Sequence, residues 1–348
     1  MNPLVLTILL SSLGLGTTIT FIGSHWLLIW MGLEINTMAI IPLMIQQQHP
    51  RAVEATTKYF LTQATASALL LFAGTTNAWI TGQWNITEMM NPVSATLTTI
   101  ALALKIGLAP MHFWLPEVLQ GLNLITGLIL STWQKLAPFA VLFQLNYLLN
   151  PYLLTLFGVL SIIVGGWGGL NQTQLRKILA YSSIAHLGWM ITILHYAPNL
   201  ATLNLILYIT MTTSMFLLFN MLNSTKIISI ALLTTKSPLL TIITLTTLLS
   251  LGGLPPLTGF MPKWLILQEL TKQNLMIPAT IMALTTLLSL FFYLRLCYIT
   301  TLTLSPNPIT YMSMWRTKPT QSNLVLVLTA SMSLLLLPLT PCMLMLTS

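Results

Sequence analysis

Aspartate is absent from this 348-residue sequence, and glutamate occurs only as Glu34, Glu54, Glu88, Glu117 and Glu269. With 5% charged residues, the chain has too little charge to clothe the water-facing surface of a soluble domain of this size. The two cysteines, Cys297 and Cys342, lie far apart in apolar surroundings and suggest neither a disulfide framework nor a metal or iron–sulfur site. The opening Met1-Asn-Pro-Leu-Val5 lacks a basic n-region, a clear cleavage site and an Arg-rich amphipathic presequence, so the first apolar run is expected to stay as a membrane helix. The net charge of +8 comes from basic residues scattered singly, with no basic, aromatic-studded face for nucleic acid. Gly165-Gly-Trp-Gly-Gly169 has no strand–turn–helix context for a nucleotide loop. Close helix packing through Gly165 and Gly169 is the better reading.

What is present is apolar length. Hydrophobic residues make up 55% of the chain and the mean hydropathy is +0.84, which predicts an all-α integral membrane protein. Roughly 20 apolar residues span a bilayer, and on that measure about eleven spans are expected. They are Pro3–Ile22, His25–Ile45, Thr56–Ile80, Pro92–Leu115, Leu122–Asn146, Pro151–Leu170, Ile178–His195, Leu200–Leu222, Pro238–Leu270, Met276–Thr300 and Leu324–Met345. The gaps are short, so 1–348 is expected to form one transmembrane domain. The longest gap, Thr301–Asn323, holds Pro306, Pro308, Arg316, Lys318 and Pro319 and reads as a surface loop.

The charges support this count. When the chain alternates sides, Arg51, Lys58, Arg176, Lys177, Lys226, Lys236, Arg295, Arg316 and Lys318 fall on one side and only Lys272 on the other. The basic side, with the N-terminus, is expected to face the cytoplasm or a mitochondrial matrix. Two spans are interrupted, the fourth by Gly107, Pro110 and Pro116, and the ninth by Gly252-Gly-Leu-Pro-Pro256, Gly259 and Pro262. Each carries a lysine, Lys105 or Lys263. Interrupted helices in matching places of two oppositely oriented five-helix repeats, about 3–146 and 151–300 with a final helix at 324–345, are a transporter signature.

Four ionisable residues lie within spans: Glu34, Lys105, Lys135 and Lys263. Each costs roughly 2.5–3.5 kcal/mol at a helix centre, so pairing, water or neutralisation must offset them. Burial pulls lysine toward release of its proton, and a neighbouring carboxylate opposes that. A lysine with a changeable partner is therefore a switchable proton carrier. The plainer alternative is a set of structural ion pairs or snorkelling side chains. His112, about two turns beyond Lys105 and roughly on the same face, and His186 are candidate relays, imidazole titrating near pH 6.5. Hydrogen-bonded packing is the alternative for both. His25, His49 and His195 fall near span ends and read as interfacial.

Several segments together resemble one family. They are Lys105-Ile-Gly-Leu-Ala-Pro-Met-His-Phe-Trp-Leu-Pro-Glu-Val118, Leu130-Ser-Thr-Trp-Gln-Lys-Leu-Ala-Pro138, Arg176-Lys-Ile-Leu-Ala-Tyr-Ser-Ser-Ile-Ala-His186, Gly253-Leu-Pro-Pro-Leu-Thr-Gly-Phe-Met-Pro-Lys-Trp264 and Trp30-Met-Gly-Leu-Glu34. Across essentially the whole chain they resemble the mitochondrial NADH dehydrogenase subunit 2 family of respiratory complex I, its antiporter-like proton-pumping subunits. The resemblance implies a membrane-arm subunit of a proton-translocating NADH:ubiquinone reductase in the mitochondrial inner membrane. It assigns proton translocation to Glu34, Lys105, Lys135 and Lys263. It implies no cofactor in this chain, with NADH, FMN, iron–sulfur clusters and ubiquinone handled by partner subunits, and it implies neighbouring antiporter-like subunits and phospholipids as partners. It also implies a form shortened by three N-terminal helices relative to bacterial members. Two readings compete: a free-standing cation/proton antiporter, and a structural scaffold without a transport role.

Overall fold

The computed structural model describes residues 2–46, 49–231, 238–302 and 324–347. Its described elements are helices: α1 (Pro3–Ile22), α2 (Trp26–Met44), α3 (Pro50–Thr81), α4 (Pro92–Ile106), α5 (Trp114–Gly121), α6 (Leu124–Ser131), α7 (Trp133–Gln144), α8 (Pro151–Gly169), α9 (Leu175–Leu194), α10 (Pro198–Met221), α11 (Ile227–Ala231), α12 (Pro238–Gly252), α13 (Phe260–Lys272), α14 (Met276–Leu302), α15 (Leu324–Leu335) and α16 (Thr340–Thr347), with short 3-10 turns at Ile86–Glu88 and Leu337–Leu339.

A recurrent local signal starts these helices. A polar cap precedes proline at the first helical position in Asn2-Pro3, His49-Pro50, Asn91-Pro92 and Asn150-Pro151. The proline lacks an amide that would be unpaired anyway, and the cap side chain accepts from an amide of the first turn. The acceptors are Asn2 Oδ1, His49 Nδ1, Asn91 Oδ1 and Asn150 Oδ1, at 3.1–3.3 Å. His25 caps α2 in the same way, 3.3 Å from the Leu27 amide. His25 and His49 are therefore helix caps at span ends.

Among the described residues, seven helices are long and apolar enough to cross a membrane, or eight if the pair Leu324–Leu335 and Leu337–Met345 counts as one span. The expected number was larger, and the differences have physical causes. Helix α3 carries Arg51, Glu54, Lys58 and many threonines. The fourth and ninth expected spans are each split, leaving α4 and α12 at 15 residues. The last expected span bends by 70° where Pro338 interrupts the backbone ladder. The fifth, read as continuous, has an irregular residue at Thr132 between α6 and α7. The expected loop 301–323 and Lys236 lie largely outside the described residues.

Helix α9 lies at the centre, with 89% of its apolar window buried, and packs against α5, α8, α10 and α13. Gly165 gives the close approach expected of it, since a β-carbon there would meet the Ala185 amide nitrogen at 2.7 Å. Gly169 instead faces the Phe292 ring of α14, so the two glycines serve two neighbours rather than one seam. Cationic side chains gather at one end. Arg51, Lys58 and Lys177 line a surface cavity with Glu54 and Glu117. Arg176 donates to the carbonyls of Gln120 and Leu122 at the C-terminal end of α5, and Arg295 donates to Leu170 O past α8 at 2.7 Å. These contacts close helix C-termini whose last carbonyls lack intrahelical partners.

Candidate functional site

The two interrupted spans share a backbone solution. Helix α4 ends at Gly107 (φ +86°) and α12 runs into Gly253 (φ +78°), conformations that glycine adopts without a side-chain clash. At each, the glycine amide and the next leucine amide fold back. Gly107 N and Leu108 N donate to Ala103 O, and Gly253 N and Leu254 N donate to Leu249 O. The sequence repeats with it, Gly107-Leu-Ala-Pro110 against Gly253-Leu-Pro-Pro256. The lysines do not occupy matching places, since Lys105 precedes its break and Lys263 follows its own.

The structure pairs carbonyls freed at each break. At the first, Leu104 O accepts from Trp114 Nε1 at 3.1 Å and Lys105 O from Gln63 Nε2 at 3.5 Å. At the second, Gly252 O accepts from Lys263 Nζ at 2.8 Å. Buried backbone oxygen is costly to strand in lipid, and here a titratable side chain satisfies it.

From these breaks a string of polar groups crosses the bundle. Glu34, mid-way along α2, places Oε1 4.0 Å from Lys105 Nζ, with 2% of the lysine side chain and 19% of the glutamate side chain exposed. Its other oxygen accepts from Thr37 Oγ1 at 3.2 Å. Lys105 Nζ, Glu34 Oε1 and both polar atoms of the Asn36 side chain are buried without a hydrogen-bond partner. Two of these residues, Asn36 and Lys105, line a cavity with Gln63, Gln134 and Lys135 that has about 20 Å³ of space for water centres. That holds one water, and buried polar atoms of this kind are what a buried water serves. A second cavity of about 120 Å³ reaches Glu34 between α2 and α3.

Beyond the cavity, Lys135 is 5% exposed and its Nζ donates to Tyr208 Oη at 3.0 Å. Tyr208 of α10 donates to Ser131 O at 3.1 Å, beside the irregularity at Thr132. Its ring lies 5.8 Å from that of His186. Glu34 thus faces Lys105, Lys105 and Lys135 share a cavity, and Lys135 reaches Tyr208, whose ring lies near His186.

His112 departs from this arrangement. Because α4 ends at Ile106, the shared helical face with Lys105 does not exist. His112 sits in the break, with Nδ1 3.3 Å from Pro110 O and its ring against Phe113 and Tyr181. His195, at a helix end, has Nδ1 3.2 Å from Asn146 O. Sequence reasoning missed Tyr208 and Asn36. The available signal was a polar seam in α10, Asn204, Tyr208 and Thr212 at four-residue spacing, all buried. Residues four apart share a helix face, and three polar ones on one face of an apolar helix mark a buried polar path.

The comparisons with known proteins agree with this geometry. The model of the NADH:quinone oxidoreductase/Mrp antiporter membrane family matches residues 23–289, and that of the NADH dehydrogenase subunit 2 C-terminus matches 290–344. The chain is 77% identical to NADH-ubiquinone oxidoreductase chain 2 of Squalus acanthias, over 100% of both chains. It is 75% identical to that of Scyliorhinus canicula, over 99% of both. In fold it is similar to a chain of respiratory complex I from Thermus thermophilus (TM-score 0.85, 28% identity, covering 97% of this chain and 78% of that one). It is also similar in fold to a chain of the Mrp complex of a Dietzia species (TM-score 0.81, 15% identity, 97% and 76%). The chain belongs to the NADH dehydrogenase subunit 2 family and is an antiporter-like, proton-translocating membrane-arm subunit of respiratory complex I.

Proposed function

We propose that protons move through this subunit along Glu34, Lys105, Lys135 and Lys263, with His186 as a relay, when electron transfer in partner subunits rearranges the complex. The observation that carries this reading is the buried cavity that Lys105 and Lys135 share, bordered by polar atoms without partners. Glu34 is the control element. While it is ionised, 4.0 Å from Lys105, it favours the ammonium form. Neutralised, or drawn toward the cavity on its outer side, it leaves Lys105 in a medium that favours the free amine. The released proton crosses the cavity water to Lys135 and passes on to Lys263. Flavin, clusters, NADH and quinone belong to partner subunits, and this chain contributes the membrane path alone. His112 is set apart from that path and takes a packing role.

The string disfavours metal-cation exchange. A sodium ion needs several oxygen ligands, and here one carboxylate faces three lysines along the path. A proton needs only the lysines. The same reading places the chain in the mitochondrial inner membrane among other antiporter-like subunits, with the cluster of Arg51, Lys58, Arg176 and Lys177 on the matrix side facing anionic phospholipid. The two breaks fit a pair of inverted repeats.

The test compares Glu34→Gln, Lys105→Met, Lys135→Met and Lys263→Met in sealed membrane vesicles, measuring protons translocated per NADH oxidised and the amount of assembled complex on native gels. The reading expects assembly with a reduced proton ratio in each. Wild-type ratios in all four assembled variants leave the scaffold interpretation standing, and a ratio that depends on sodium or potassium favours the antiporter.

A further inference from the structure

We propose that Tyr208 is the proton relay between Lys135 and His186, accepting a proton from the Lys135 ammonium at its phenol oxygen while its own hydroxyl proton passes to the imidazole. This rests on the lysine path above and adds the step that the four charged residues do not supply. Lys135 and Lys263 are separated by α9 and α10, and described side chains bridge that interval.

The geometry is that of a proton wire. Lys135 Nζ is 3.0 Å from Tyr208 Oη and 5.0 Å from the centre of its ring, so the ammonium is held at the oxygen edge of the phenol. Tyr208 is 1% exposed, which excludes bulk water from the step. The hydroxyl proton has two stations. At one it points to Ser131 O, 3.1 Å away, a carbonyl that accepts a hydrogen bond but cannot carry the proton onward. At the other it turns toward α9, where the His186 ring centre is 5.8 Å from that of Tyr208. Rotation about one C–O bond switches between them.

The transfer balances without a charged phenol. An N–H bond of Lys135 breaks and its electron pair stays on nitrogen. The Tyr208 oxygen gains that proton as its own O–H proton leaves for a free ring nitrogen of His186, which becomes imidazolium. The imidazolium then gives up the proton on its other ring nitrogen to the free amine of Lys263, whose Nζ is held at Gly252 O, 2.8 Å away. One proton therefore enters at Lys135 and leaves on Lys263, with Tyr208 returned to its starting form after its hydroxyl rotates back. Tyrosine suits the position because it donates and accepts through one atom, and its ordinary pKa near 10 is close to that of lysine.

The experiment uses intact complex in sealed vesicles. Tyr208→Phe keeps the ring and its contact with the Lys135 cation and removes only the hydroxyl. Protons per NADH are measured in Tyr208→Phe, Lys135→Met and the double variant. The relay predicts that Tyr208→Phe lowers the ratio to that of Lys135→Met and that the double variant loses no more than either single one, because both interrupt one path. A wild-type ratio in Tyr208→Phe beside a lowered ratio in Lys135→Met overturns the relay and leaves the lysine path intact. Wild-type ratios in both overturn the two together. Additive losses in the double variant also overturn the relay. If Tyr208→Phe does not assemble, Tyr208→His, which can accept and pass on a proton, is compared with Tyr208→Met, which cannot. Equal ratios in those two contradict the proposal.

Discussion

The two helix breaks are alike in backbone and opposite in chemistry. Each ends a helix at a glycine with positive φ followed by leucine and proline, and each folds two amides onto one carbonyl. At the first, the next carbonyls are closed by neutral donors, Trp114 and Gln63, and the lysine beside them faces Glu34. At the second, Gly252 O is closed by the titratable Lys263, with no carboxylate paired to Lys263 among the described residues. The first break is built to have its charge set by a neighbour. The second is built so that a proton changes the hydrogen bonding of the backbone itself. On the proposed path, a shared fold device serves as the input at one end and the output at the other.

The largest expected effect comes from removing the carriers. Lys105→Met and Lys263→Met should each cut pumping through this subunit by on the order of 10²-fold, the lower end of the cost of losing a proton-transfer group. Proton flux into vesicles at matched NADH turnover should then lack this subunit's share. The comparison sharpens with arginine. At position 263 arginine still caps Gly252 O, so assembly should persist while pumping fails, because arginine does not release its proton. If Lys263→Arg pumps normally, the second break is a structural cap only.

Next comes the input. Glu34→Gln removes the charge 4.0 Å from Lys105 and should slow pumping about tenfold, within the 1–3 kcal/mol usual for coupling between sites. No carboxylate is paired to Lys263 among the described residues, so this variant has no counterpart at the second break. Pumping rates of Glu34→Gln at matched NADH turnover check the expected effect.

Alanine at the two glycines gives a smaller effect that separates backbone from chemistry. Either substitution forces a side chain into a left-handed conformation, at about 1–3 kcal/mol. At position 253 the new β-carbon also lies 2.8 Å from Lys263 Nζ, whereas at 107 it meets Leu115 Cδ1 at 2.9 Å. Both should lower the melting temperature of the complex, and only Gly253→Ala should also lower protons per NADH. Smallest is Trp114→Phe, which strands Leu104 O at about 1–3 kcal/mol and should reduce assembled complex on native gels more than it changes proton stoichiometry.

Much of this site was legible in the chain because charge in an apolar run is a rare and costly event. Glu34, Lys105, Lys135 and Lys263 stand out for that reason, and the glycine–proline clusters mark the breaks beside two of them. Tyr208 was not legible in the same way. A tyrosine in an apolar helix is ordinary core material, and only its neighbours across α7 and α9 give it a role. Asn36 is similar, since its importance lies in having no partner, a property of the fold. The shared face of His112 with Lys105 failed because the helix was extended past Gly107, where it stops. The irregularity at Thr132 had no strong local signal, and the bend near Leu336 lay at Pro338, a residue that the hydrophobic run concealed.

The most direct test of the account is Lys105→Arg. It keeps the cation, the contact with Glu34 and the apolar stem, and removes only the ability to release a proton at physiological pH. Protons translocated per NADH oxidised, measured in sealed vesicles holding fully assembled complex, should fall well below the wild-type ratio. A wild-type ratio with arginine at this position would mean that Lys105 carries charge and not protons, and the string from Glu34 to Lys263 would not be the proton path.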